Sequence, residues 1–306
     1  MTMSPDAVFH THRPALFALA YRMLGKVMDA EDCVQEAFLR WQTLEEGKGE
    51  TVQSPRTYLC TIVTRLCLDH LHSAPVRREE YVGVWLPEPL LTTDETEDLA
   101  EIASLDESLS LAFLLLLERL APVERAVFLL HQVFGYDYRE IGDVVHKSED
   151  NCRQIARRAQ RHLTAHRARF DADAAQQERL TNQFLQTCST GNMDGLLAML
   201  SEDIVVHVDG GGVARAALNP IKGPDHVARF IFGMLRKLPT GMSVQPMRIN
   251  GQLGLVLYHN RAVYTVLVVA GTHERITEID VVVNPHKLRH IPPVDVKQAS
   301  PVPSFS

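Results

Sequence analysis

Apolar positions recur at helical spacing through residues 5–72 and again through 105–170, and strand-like apolar runs follow after residue 204. Phe9–Leu24 carries the first helical stripe, up to Gly25. Asp29 is placed to cap a second helix, with Asp32 three residues later and Val34, Ala37, Phe38 and Trp41 as its inner stripe. Residues 43–53 are polar, with Gly47 and Gly49, and predict a loop. Pro55 then opens a third helix at its first turn, running through Tyr58, Leu59, Ile62, Val63, Leu66 and Leu71.

Ala121–Leu163 predicts two short helices, a tight turn and a third helix. At about 100° per residue, Cys152, Ile155, Ala156, Ala159 and Leu163 fall on one side of that last helix. Arg153, Gln154, Arg157, Arg158 and Arg161 fall on the other. One side can pack while the other enters the groove of a polyanion, the layout of a helix-turn-helix whose recognition helix comes last. Arginines there can pair with guanine edges or hold phosphates, and the pattern does not say which does which. Arg161 and Lys147 look more like phosphate contacts. A charged, solvated helix face is the bland alternative.

Beyond residue 178 the pattern changes. Leu180–Leu200 predicts a helix or helix pair broken near Gly191, and Ile204–Val208 a strand ending in Asp209-Gly210-Gly211-Gly212. Val227–Leu238 predicts a helix, and Val244–Ile249, Gly254–His259, Ala262–Val269 and Ile276–Val283 predict strands. Helices followed by a run of strands indicate α+β. Residues 292–306, rich in Pro and Ser, are expected to be disordered.

The net charge of −7 gives no sign of nucleic acid. Locally the picture reverses: residues 146–170 hold seven Lys/Arg against two acids, whereas 81–104 hold six acids and no Lys or Arg. Phosphates respond to charge within about 8–10 Å, so the local patch is the relevant quantity. The five cysteines are odd in number and widely spaced, which argues against a disulfide framework and for reduced, mostly buried thiols. His10/His12 and His70/His72 lack partners at ligand spacing, so no metal is expected at either pair. The longest apolar run, Leu109–Leu117, falls short of the ~20 residues that span a bilayer.

Between the helical stretches, Tyr81–Pro89 contains Trp85-Leu86-Pro87-Glu88-Pro89. Its two prolines fix an extended backbone carrying two apolar side chains, a segment expected to dock. The expected organisation is therefore a helical domain over 1–74, a linker over 75–104, a second helical domain over 105–170, an α+β domain over 175–291 and a tail over 292–306.

Ala20–Gly25, Asp29–Asp32, Gln35–Trp41, Pro55–Leu59 and Leu68–Leu71 resemble region 2 of bacterial sigma factors of the extracytoplasmic-function (ECF) type, and the helix-turn-helix resembles region 4. The WLPEP linker, Asp209–Gly212 and Asn284-Pro285-His286-Lys287-Leu288 resemble a narrower subgroup with a SnoaL-like extension, a cone-shaped α+β fold. His286 stands where that subgroup's motif has Asp. The resemblance implies two all-α domains followed by the cone, and a cytoplasmic protein without catalytic activity or cofactor. Its implied partners are core RNA polymerase, contacted through Asp29, Glu31, Asp32, Gln35 and Glu36, and promoter DNA. Region 2 would melt the −10 element with Arg56 and Arg65 nearby, and region 4 would read the −35 element through Arg153, Gln154, Arg157, Arg158, Arg161 and Lys147. It also implies regulation in cis through Trp85–Pro89, Asp209–Gly212, Asn284, Pro285, Lys287 and Leu288. A tethered regulator acts at high effective concentration, so no separate anti-sigma factor is required.

Alternatives stay open. The acids of 29–36 also suit a helix N-terminus. Asp209-Gly210-Gly211-Gly212 is a turn, or Asp209 is a general base, in which case the cone is a working isomerase or hydratase. A cone of this kind also offers a pocket to a small apolar ligand. A conventional repressor or activator shares the helix-turn-helix.

Overall fold

The computed structural model describes residues 5–46, 52, 54–73, 81–92, 110–167, 174–272, 274–293 and 300–302. The helices are α1 (Pro5–Leu24), α2 (Val27–Glu46), α3 (Pro55–Ser73), α4 (Leu111–Glu118), α5 (Pro122–Gln132), α6 (Tyr138–Val145), α7 (Glu149–Arg167), α8 (Ala174–Ser189), α9 (Met193–Met199) and α10 (Pro224–Leu235). The strands are β1 (Leu200–Asp209), β2 (Ile221–Lys222), β3 (Met242–Ile249), β4 (Gln252–His259), β5 (Ala262–Thr272), β6 (Arg275–Val282) and β7 (Ser300–Pro301). The chain divides into two compact units. One holds 1–79, 93–109 and 113–166, and the other holds 80–92, 110–112 and 167–306.

In the first unit α1, α2 and α3 close on Leu16, Leu19, Tyr21, Val34, Ala37, Trp41, Leu59 and Val63, all buried. Asp29 does not cap α2: the helix starts at Val27, so Asp29 sits in its first turn, where a carboxylate still favours the macrodipole. The two helical regions lie together in this unit, and two arginines tie them. Arg65 of α3 donates from Nε to Val144 O at 3.2 Å and from Nη2 to Asp143 O at 3.0 Å, satisfying carbonyls at the end of α6. Arg125 of α5, 4% exposed, donates to Leu117 O at 2.8 Å and also to Met23 O at the end of α1.

In the second unit the sheet order is β2-β1-β6-β5-β4-β3-β7, with β1 and β6 parallel and the other pairs antiparallel. The helices α8, α9 and α10 contribute Leu180, Phe184, Leu196, Val227 and Ile231 to a core built on Ile204, Val206, Val208, Leu255, Leu257, Leu267, Ile279 and Val281. The parity of these strand positions places them on one face of the sheet. Two expectations are corrected. The tail was expected to be disordered through 292–306, but Ser300–Pro301 pairs with β3, and Val302 N donates to Met242 O at 3.0 Å. Pro301 is tolerated because this is an edge strand. The linker was expected as one connection over 75–104, but 81–92 belongs to the second unit. The acidic stretch 94–101 lies outside the described residues.

Candidate nucleic-acid interface and linker strap

The helix-turn-helix is built from local signals. Asp137 caps α6: its Oδ1 accepts from Glu140 N at 2.8 Å, while Glu140 Oε2 accepts from Asp137 N at 3.0 Å. The helix ends on His146 in the left-handed region (φ 54°), and Lys147 N returns to Gly142 O at 3.0 Å. Gly142 is required there, since a Cβ would lie 2.6 Å from Lys147 O. On α7, Cys152, Ile155, Ala156, Ala159 and Leu163 are buried, and Gln154, Arg157, Arg158 and Arg161 are exposed.

The arginines are not equivalent. Arg153 pairs with Glu149 at 2.6 Å and Asp150 at 3.1 Å, and its guanidinium lies 5.5 Å from the Tyr138 ring. Arg158 pairs with Glu124, whose carboxylate also accepts from Ala121 N at 3.2 Å. Arg161 leans back on Arg157 O at 3.3 Å. Gln154, Arg157 and exposed Lys147 therefore present their side chains with the fewest competing contacts.

On α2, Asp32 and Gln35 are exposed. Asp29 is held by Lys26 and His70, each at 3.1 Å, Glu31 by Arg13 at 2.6 Å, and Glu36 by Arg40 at 2.8 Å. Sequence reasoning missed Met28 and Leu39, 55% and 50% exposed. Positions 28, 32, 35 and 39 form one stripe, so an apolar residue stands at each end of the polar pair. The signal was present as two apolar side chains outside the inner stripe. Arg56 and Arg65 are both exposed, but Arg65 is engaged with α6 as described, and the Arg56 guanidinium lies 5.9 Å from the Tyr136 ring.

In the second unit the residues of the three separated motifs converge. Asp209, fully buried at the end of β1, accepts from Tyr81 OH at 2.5 Å, from Leu86 N at 2.8 Å and from Lys287 Nζ at 2.7 Å. Lys287, 4% exposed, also donates to Leu86 O and lies 4.2 Å from the Trp85 ring and 5.0 Å from that of Tyr81. Asn284 Nδ2 donates to Tyr81 OH at 3.0 Å, while its Oδ1 accepts from His286 N at 3.0 Å, starting the turn over Pro285–Lys287. Burial and the Asp209 carboxylate push the Tyr81 phenol well above its ordinary pKa. The His286 side chain contacts Arg289 at 2.6 Å, and its tie to the hub is the backbone N–H on Asn284 Oδ1, which an Asp would also supply.

Leu86, Pro87, Glu88 and Pro89 are buried, and Leu288 with them. The strap is tied down further along. Leu90 N donates to Asn250 Oδ1 at 2.9 Å, Asn250 N donates to Leu90 O at 2.7 Å, and His290 meets Pro89 O at 2.5 Å. Gly210 cannot carry a side chain, because a Cβ would lie 2.6 Å from Ala214 O. Gly211 and Gly212 take φ of 59° and 73°, and their Cβ atoms would meet Asn284 and Val82.

The core side of the sheet carries a partly open cavity of about 250 Å³ lined by Phe184, Ile231, Leu235, Leu255, Leu257 and Val302 among others. Its polar lining is hydroxyl or thiol only: Ser189, Thr265, Ser300 and Cys188, the last with its thiol pushed up to about 12 by burial. Alternation along β1 puts His207 on the side of Asp209, away from this core. There His207 contacts Asp280 at 3.0 Å and Glu278 at 3.1 Å.

Comparison with known proteins decides the family. Residues 8–74 match the model for Sigma-70 region 2, and residues 110–163 that for Sigma-70, region 4. The ECF RNA polymerase sigma factor SigJ of Mycobacterium tuberculosis is 38% identical over 80% of this chain and 78% of its own length. The chain belongs to the ECF RNA polymerase sigma factors. The probable ECF sigma factor SigI of the same species is 35% identical over 92% of this sigma factor and 94% of the relative. The crystal structure of M. tuberculosis SigJ matches with a TM-score of 0.75 at 30% identity, covering 93% of this chain and 98% of that one. The α+β unit is thus a C-terminal extension shared with that sigma factor.

Proposed function

We propose that this sigma factor directs core RNA polymerase to −35/−10 promoters and is regulated in cis by its C-terminal unit, which acts by holding the linker. The observation that carries the proposal is the Asp209 hub. A carboxylate with no exposure binds one linker hydroxyl and one linker amide, and its cation also binds a linker carbonyl. Region 2 and region 4 must reach elements roughly two DNA turns apart, each about 34 Å. Every residue pinned in the strap removes up to about 3.3–3.6 Å of reach. Holding 81–92 therefore limits the spacings the two regions can bridge.

On this reading Asp29, Glu31, Asp32, Gln35 and Glu36 face the polymerase, with Met28 and Leu39 supplying apolar contact. Gln154 and Arg157 read bases, and Lys147, Arg153, Arg158, Arg161, Arg56 and Arg65 hold phosphates, Arg65 only once its bonds to α6 are exchanged. The protein works in the cytoplasm beside the polymerase, needs no separate anti-sigma factor and catalyses no reaction of its own. Asp209 serves as an anchor rather than a base, since three donors occupy it. None of the residues lining the cavity carries a carboxylate, imidazole or amine.

The test is transcription in vitro with core polymerase and no other sigma factor, on promoters of varied −35/−10 spacing. Full-length protein should initiate within a narrow spacing range, and Lys287→Met, which loosens the strap, should initiate across a wider one. Identical spacing profiles would overturn regulation through the linker.

A second reading concerns the cavity. A predominantly apolar concavity with a few hydroxyls suits a small apolar molecule. We infer that the extension also takes an uncharged, compact ligand there, with Val302 of the tail at the cavity wall.

A further inference from the structure

We propose that His207, Glu278 and Asp280 form a binding site for a zinc-class divalent cation on the sheet of the C-terminal unit, facing away from the apolar cavity. The three residues lie on neighbouring parallel strands in fixed register, with Val205 opposite Glu278 and His207 opposite Asp280. Glu278 and Asp280 are two apart and share a face of β6, so both carboxylates flank the one imidazole without distortion of either strand.

Their ligand atoms lie within 4.8 Å of one another. His207 Nδ1 is 3.0 Å from Asp280 Oδ1 and 3.1 Å from Glu278 Oε1. Around a tetrahedral ion with bonds of about 2.0 Å, ligand atoms are separated by about 3.3 Å. The two imidazole–carboxylate separations therefore need to open by only a few tenths of an ångström to take one, and the carboxylate oxygens already lie within 4.8 Å of each other. One nitrogen and two carboxylate oxygens suit zinc, whose three-ligand sites leave a fourth position for water. The imidazole disfavours calcium and magnesium, which take oxygen donors.

Charge and burial point the same way. The side chains of Asp280 and Glu278 are 4% and 15% exposed. Two carboxylates withdrawn from water are costly unless compensated, and among the described residues no Lys or Arg pairs with either. A single imidazolium balances one of the two charges, whereas a divalent ion balances both. The ion would staple β1 to β6 two residues before Asp209, and so fix the strand end that holds the linker. The site itself does not depend on the strap reading.

The test uses the full-length, tag-free protein, stripped with chelator and dialysed against zinc, with cobalt(II) as an optical probe of four-coordinate geometry. The wild type should take up one equivalent of zinc, show the intense visible bands of tetrahedral cobalt and melt at a higher temperature with zinc than with chelator. His207→Ala and Glu278→Gln should each lose all three effects, and a His10→Ala/His12→Ala control should lose none. Glu278→Gln keeps a hydrogen-bonding side chain beside His207, so it remains informative if His207→Ala fails to fold. Absence of zinc uptake by the wild type, or uptake unchanged in the His207 and Glu278 variants, would overturn the proposal.

Discussion

Lys287→Met is the sharpest perturbation of the hub. Lys287 Nζ lies 2.7 Å from Asp209 Oδ2, with side-chain exposures of 5% and 0%. Methionine matches the four-atom stem of lysine and lacks the terminal ammonium, so the charge and its donors are removed. Asp209 then retains Tyr81 OH and Leu86 N but faces no cation, and Leu86 O loses a donor. Breaking one side of a buried pair costs about 3–5 kcal/mol. For a domain of about 150–250 residues, each kcal/mol lowers the midpoint by about 2–4 °C, so a fall of about 6–20 °C is expected. The loss is capped if the strap leaves and water reaches Asp209, so the lower half of that range is the firmer expectation. Calorimetry on the wild type, Lys287→Met, Asp209→Asn and the double variant completes a cycle. With both charges gone the double variant should be more stable than the two single losses imply, by about 1–3 kcal/mol. A Lys287→Met cost below about 1 kcal/mol, the level of an exposed pair, or strict additivity, would refute the hub as a buried, charge-coupled clamp.

Other outcomes follow from the same structure. Gly142→Ala should weaken the helix-turn-helix by about 1–3 kcal/mol of overpacking, because its Cβ would meet the Lys147 carbonyl at 2.6 Å; an unchanged melting midpoint contradicts this. Arg157→Ala should cost about 1–3 kcal/mol in promoter binding and relax preference at one −35 position, whereas Lys147→Ala should weaken all sequences alike and reduce the salt slope by about one. Competition binding at several salt concentrations separates the two. Arg125→Met strips donors from the carbonyls of Leu117 and Met23 and should destabilise the helical unit by about 2–4 kcal/mol in urea melts. Leu257→Trp should fill the cavity and abolish fluorescence enhancement of an uncharged naphthylamine dye; undiminished enhancement places the dye elsewhere.

The parts of the molecule written in local periodicity could be read without coordinates. The buried face of α7 is the set given by the 3.6-residue wheel, because that face packs and the arginine face does not. The main strands began and ended within a few residues of expectation, since half-buried sheets impose their alternation directly. What stayed hidden depends on residues distant in sequence. Leu86 and Asp209 are 123 positions apart, and Arg65 meets Val144 across 79, with no periodicity linking them. Motif resemblance suggested that the linker, Asp209–Gly212 and Asn284–Leu288 belonged together, but it did not name Tyr81, Asn250 or His290 as ties. Ser300–Pro301 was missed because a two-residue edge strand takes its stability from the sheet it joins. His207 gave no metal-ligand signal because its carboxylates sit on another strand 71 and 73 residues later.

Amide hydrogen exchange at Leu86 and Leu90 is the most direct probe of a linker clamped by the C-terminal unit. The Leu86 amide donates to a fully buried carboxylate and the Leu90 amide to Asn250. Both should be strongly protected in the free full-length chain, and both should stay protected when the protein is bound to core polymerase on a promoter of the preferred spacing. Rapid exchange in the free chain, or loss of protection in the promoter complex, would contradict spacing control by the strap.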